Sequence, residues 1–92
     1  MIRMFMRHQV TDFADWRSHY DNFAAAREQL GVRGDAVFSG AEIEGDVTIW
    51  HDFDDMAAAQ AFLNSSELSS AQQAAGVTGN KQIWFVNRDM PE

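Results

Sequence analysis

The chain has no cysteine, which excludes disulfide staples, thiolate nucleophiles and thiolate metal sites. It also lacks any apolar run near the ~18 residues of a membrane-spanning helix. The opening Met1-Ile2-Arg3-Met4-Phe5-Met6-Arg7-His8 interleaves charge with apolar residues and is no signal-peptide core. Positive charge is scarce: 7 Lys and Arg stand against 14 Asp and Glu, a formal −7, with no basic stripe. Neither nucleic acid nor an anionic membrane is an expected partner, and a cytoplasmic location is the default. Catalytic signatures are missing too. Ser65, Ser66, Ser69 and Ser70 sit in no G-x-S-x-G elbow, and Gly31-Val32-Arg33-Gly34 lacks phosphate-binding spacing. Asp52, Asp54 and Asp55 cluster in sequence but differ in strand parity, and one is a cap. With no histidine–carboxylate set at ligand spacing, no metal is expected.

What is present is enough for one modest core. At 92 residues and 46% hydrophobic, positions 1–92 read as a single α+β domain. Ile2 to Val10 alternates as a strand, with Met4, Met6, His8 and Val10 on its apolar side. Thr11 or Asp12 caps a helix whose Phe13, Trp16, Tyr20, Phe23, Arg27 and Leu30 follow the 3–4 spacing of a core-facing stripe, and Gly31 ends it. Asp35 to Ala41 and Asp46 to Phe53 read as a strand pair joined through Glu42 to Gly45. Asp54 or Asp55 caps a helix from Met56 to about Leu63. Asn64-Ser65-Ser66 interrupts it, with Ser66 recapping a continuation to Ala75, ended by Gly76. Lys81 to Asn87 is the last strand, and Met90-Pro91-Glu92 a frayed tail.

This βαββαβ order suits a four-stranded antiparallel sheet with its helices on one face and the first and third strands central. The apolar parity faces the helices: Met4, Met6, His8, Val47, Ile49, His51, Phe53, Ile83 and Phe85. The open face then carries Phe5, Trp50, Trp84 and Val86 beside Arg3, Arg7 and Asp52, with Arg7 and Asp52 expected to pair. So large an apolar patch calls for cover, and a second copy of the same face is the simplest one, giving a homodimer.

On this element order, on Phe5-Met6-Arg7-His8-Gln9-Val10-Thr11-Asp12-Phe13 followed by Trp16, and on Ala61-Phe62-Leu63 through Ala75-Gly76-Val77, the chain resembles the dimeric α/β-barrel superfamily. That superfamily includes antibiotic-biosynthesis-monooxygenase-like proteins and small stress-responsive and polyketide-cyclase-like barrels; the short single-domain members are most similar. The resemblance implies a ferredoxin-like unit, two copies with their sheets facing each other as a dimeric α/β barrel, and a ligand pocket between sheet and helices within each subunit. Haem-degrading relatives use a first-strand asparagine, a tryptophan and a helix-borne histidine. Here the comparable strand position is near His8 and the second helix has no histidine, which argues against haem. No cofactor is expected.

The candidate catalytic residues are His8 and His51. Both have helix-side parity near strand ends, and parallel neighbouring strands would hold them level in one pocket as general acid or base. The plainer reading is a half-buried histidine bonded to backbone or carboxylate. Arg27 breaks the apolar stripe and is a candidate substrate clamp, or else its head reaches water, Glu28, Asp35 or Glu67. Tyr20 and Trp16 share its helical face and are candidate substrate-binding residues, or core. His19, off the stripe, reads as solvated. The expectation is a homodimer binding a small organic ligand: a cofactor-independent monooxygenase or cyclase-like enzyme acting on an aromatic or polyketide-like compound. The alternative is a non-catalytic binding or interaction module with structural histidines.

Overall fold

The computed structural model describes residues 1–89, so the segment expected to fray, Met90-Pro91-Glu92, lies outside the described residues. The elements are β1 (Ile2–Val10), α1 (Phe13–Asn22), α2 (Ala24–Gln29), β2 (Gly34–Ser39), β3 (Asp46–Phe53), α3 (Met56–Leu63), α4 (Ser66–Ala74) and β4 (Val77–Asn87). The four strands form one antiparallel sheet in the order β2-β3-β1-β4. The helices cover one face of it, which is a ferredoxin-like α+β fold. Among the described residues, no helix is long and apolar enough to cross a membrane.

Local chemistry accounts for the boundaries. Asp12 caps α1 by accepting from the Asp15 amide at 2.9 Å, and Asp55 caps α3 by accepting from Ala58 at 2.8 Å. Ser65, rather than the expected Ser66, caps α4 through the Leu68 amide. The expected long first helix is broken at Phe23, whose backbone (φ −87, ψ 2) leaves helical geometry while its side chain still packs on the core. The second strand ends at Ser39 rather than Ala41, because Gly40 and Asp46 close the hairpin with a 2.7 Å backbone bond. Gly45, at φ +80, takes a conformation that side chains resist, and its carbonyl accepts from Val10 at 2.8 Å. The last strand begins at Val77, not Lys81. Its polar start is held by pairing with β1, and the register shifts between Arg7 and Gln9.

The helix-side parity holds. Met4, Met6, Val47, Phe53 and Phe62 are fully buried, each contributing about 1.5–3 kcal/mol of burial. On the open face Phe5 stacks on Trp84 at 5.2 Å, while Phe38, Trp84 and Val86 stay exposed. The ion pairs there differ from the expected Arg7–Asp52. Arg7 binds Asp46 through two 2.9 Å bonds, and Arg3 binds Asp52 at 2.8 and 3.0 Å while lying 3.5 Å over the Trp50 ring. The register explains the exchange. Arg3 stands directly opposite Asp52, whereas Arg7 stands opposite Thr48, one same-face step from Asp46.

Candidate functional site

Between sheet and helices lies a cavity of about 40 Å³. β1 supplies Met6 and His8 to its wall, and β3 supplies Ile49 and His51. α1 gives Trp16, His19 and Tyr20, α2 gives Arg27, and Phe62, Leu68 and Gln72 come from α3 and α4. The volume admits one or two water-sized molecules. A ligand of ordinary size needs ~300 Å³ or more, so an aromatic substrate enters only if α1 and α4 part. The partly exposed Phe23, Ala71 and Gln72 and the exposed His19 form the solvent side of the lining.

Both histidines line this cavity, but not at the same height. β1 and β3 are antiparallel: His8 faces Val47, and His51 faces Met4. Four residues of strand separate the two levels, ~13 Å along the sheet. The expectation that parallel strands would hold them level is therefore corrected; they stand toward opposite ends of one cavity. Each is 3% exposed. Burial, reinforced by Lys81 against the pull of Asp46, lowers the His8 pKa to about 4. Burial, reinforced by Arg27 against Asp35 and Asp52, does the same for His51, also to about 4. Both are neutral imidazoles at physiological pH.

Their bonding differs. Among the described residues, neither ring nitrogen of His8 has a hydrogen-bond partner, and its ring meets Trp16 edge-on at 5.8 Å. His51 Nε2 lies 3.0 Å from the Tyr20 hydroxyl, which in turn lies 2.5 Å from Asp35 Oδ2. The hairpin makes this possible, because Asp35 and His51 are cross-strand partners on the helix side and Tyr20 descends from α1 to bridge them. The Tyr20 pKa is raised by burial and by its bond to Asp35.

Arg27 is buried despite its charge. Its guanidinium donates to the Tyr20 carbonyl, lies 3.7 Å over the Tyr20 ring and stands 3.9 Å from Asp35. Trp16 stacks against Tyr20 at 5.0 Å. Thus Trp16, Tyr20, Arg27 and His51 form one contiguous wall, with His8 beyond Trp16. His8 also borders a surface cleft of about 320 Å³ beside Arg7, Asp46 and the β4 irregularity, and Arg27 borders another of about 300 Å³. Two participants are not legible in the sequence: Asp35 stands there only as one possible neighbour of Arg27, and Gln72 not at all. His19, expected to be solvated, is exposed and lies on the solvent rim of the cavity. The hairpin register is the signal that places Asp35 opposite His51.

A ferredoxin-like sheet with a histidine-bearing cavity beneath its helices is thus the class to which fold and site assign the chain. No family model matches the sequence, and no curated protein does. Solved structures do share the fold. One is SnoaB, a cofactor-independent oxygenase from Streptomyces nogalater, with a TM-score of 0.75, 16% identity, and 99% of this chain and 97% of that one covered. Another is a candidate antibiotic biosynthesis monooxygenase from Bordetella bronchiseptica, with a TM-score of 0.83, 14% identity and 97% of each chain covered. A third is a candidate antibiotic biosynthesis monooxygenase from Deinococcus radiodurans, with a TM-score of 0.75, 17% identity, and 100% of this chain and 96% of that one covered. At such identities the likeness establishes the fold and leaves the chemistry to the residues.

Proposed function

We propose that the protein is a small-molecule-binding homodimer that acts as a cofactor-independent monooxygenase on an aromatic or polyketide-like compound. The observation that carries this reading is the pair of buried, neutral histidines on one apolar cavity, whose ring nitrogens include three without a partner among the described residues. A buried polar atom left unpaired costs about 1–3 kcal/mol, a cost that a ligand bearing an acidic proton removes. An imidazole held neutral at working pH accepts a proton from an electron-rich phenol or from the acidic methylene carbon of an anthrone-type compound. Arg27, beside Tyr20 and His51, is the cation placed to stabilise the resulting anion. Dioxygen, small and apolar, suits the cavity. The balance closes without a further reductant: the methylene carbon loses both hydrogens and gains one oxygen atom as a carbonyl, and the second oxygen atom leaves with those hydrogens as water.

The similarity in fold to SnoaB supports an oxygenase over a cyclase. The exposed aromatic face supports the dimer, since the Phe5–Trp84 stack and Phe38 are left for a second copy to cover. The small volume favours the competing reading, a non-catalytic module with structural histidines. Oxygen uptake with an anthrone as substrate separates the two. Uptake that falls at least tenfold in His51→Ala or His8→Ala is expected, whereas a wild-type protein that shows no uptake and does not bind anthrone refutes the enzyme.

A further inference from the structure

We infer that Nδ1 of His51 is the proton-accepting atom of the cavity, and that Asp35 is a positioning residue which, through the Tyr20 hydroxyl, keeps that nitrogen free of a proton. The inference deepens the oxygenase reading and rests on it only for the role of Nδ1 in the reaction; the tautomer itself is a property of the resting protein.

Proton count decides the tautomer. Tyr20 has a single hydroxyl proton and two neighbours, Asp35 Oδ2 at 2.5 Å and His51 Nε2 at 3.0 Å. As a carboxylate, Asp35 can only accept, so the shorter contact takes the Tyr20 proton. The Tyr20 oxygen is then an acceptor toward His51, and Nε2 must carry the ring hydrogen. A neutral imidazole has one N–H, so Nδ1 is left with its lone pair. The opposite tautomer fails twice. It sets a bare Nε2 against a Tyr20 oxygen whose proton is already committed, and it leaves an N–H on Nδ1 buried with no acceptor among the described residues. A buried donor without an acceptor is the rarer and costlier defect.

The same chain stabilises the product of proton capture. When Nδ1 takes a proton, the Nε2–H bond to Tyr20 strengthens against the Asp35 charge beyond it. The charged groups acting on His51 are Arg27 from α2, Asp35 from β2 and, across the sheet from its open face, Asp52 of β3, with Tyr20 from α1; α3 presents the apolar Phe62. Arg27 opposes the imidazolium and the two carboxylates favour it. Asp35, with a side chain 39% exposed, is the one of these open to change at little cost to packing. His8 has no such orienting chain among the described residues.

The test is two-dimensional ¹H–¹⁵N NMR of the imidazoles in the full chain at pH 7.5, where a bare ring nitrogen resonates far downfield of one bearing hydrogen. The expected result is a bare Nδ1 and a protonated Nε2 for His51. Asp35→Ala frees the Tyr20 hydroxyl to donate to Nε2 and should raise the share of the Nδ1–H tautomer, against the cost of its unpaired N–H, moving the Nδ1 resonance upfield. Asp35→Asn retains an oxygen that accepts from Tyr20 and should keep the wild-type pattern. A proton on Nδ1 in the wild type, or an unchanged pattern in Asp35→Ala, overturns the inference. Oxygen uptake measured on the same samples separates it from the functional reading. A raised Nδ1–H share with a lower kcat at constant KM in Asp35→Ala supports both, whereas a raised share in a protein with no uptake at all supports the relay and removes the oxygenase.

Discussion

Acidification should unfold this protein earlier than its carboxylates alone would require. His51 changes from an unfolded pKa near 6.5 to about 4 in the fold. Because the folded value is the lower one, the unfolded chain binds the proton first. The full contribution is present above pH ~6.5 and is lost as pH falls from there toward 4, where the loss levels off. For a group 3% exposed, the linkage relation gives roughly 2 kcal/mol lost between pH 7.5 and 5, and about 3 by pH 4, with little more below. His8, shifted in the same direction for the same leading reason, adds a loss of the same sign. Such losses are large beside the ~5–15 kcal/mol of a typical domain. Urea unfolding at pH 7.5, 6 and 5, followed by far-UV circular dichroism at fixed protein concentration, measures the effect directly. His51→Gln, which cannot titrate, should be flatter over this window than the wild type. A wild-type stability that does not change between pH 7.5 and 5, or a His51→Gln slope equal to the wild type, refutes the burial of a neutral imidazole.

Trp84→Glu sets a carboxylate in the proposed dimer face and should give monomer or unfolded chain in sedimentation; an equally stable dimer would remove that face from the interface. Arg27→Leu restores the apolar stripe but strips the Tyr20 carbonyl of its donor and the ring of its cation, so a loss of about 1–3 kcal/mol in urea melts is expected. A neutral or stabilised variant would show that the guanidinium is held for a ligand rather than for the fold. Gly45→Ala and Gly79→Ala should differ although both glycines have positive φ. A methyl at Gly45 meets the Val10 carbonyl at 2.5 Å, while one at Gly79 meets nothing within 4 Å. The first should cost well over the ~1 kcal/mol of backbone strain that the second incurs, and equal melting temperatures would refute the close packing of the β2–β3 hairpin on β1.

Much of the fold is legible because its signals are local. The alternation in Ile2 to Val10 and Asp46 to Phe53 marks both central strands, and Asp12 and Asp55 stand where a cap must stand. The break at Phe23 is not legible, since the spacing Tyr20, Phe23, Arg27 continues across it and only tertiary packing chooses the kink. Thr78-Gly79-Asn80 carries no strand pattern; Thr78 pairs with Gln9 of β1, and the register shift falls between it and Gln82. The level of the two histidines is available from connectivity, against the expectation of parallel strands. A helix returns β2 to the direction of β1 and the tight hairpin then reverses β3, which sends His51 to the far end from His8. The ion pairs depend on register: Arg7 stands opposite Thr48, four residues from Asp52 and only two from Asp46. The small volume of the cavity follows from side-chain packing that no pattern encodes.

Asp35 and His51 lie on the two arms of one hairpin and meet as soon as it zips, a short-range event in chain terms. Tyr20 reaches them only when the first helix has settled on the sheet. The Tyr20 contact to His51 is therefore a built-in timer for assembly: the His51 ring resonance records strand pairing in one environment and helix docking in another. A refolding experiment that follows this single nucleus resolves the order of the two events without any added label.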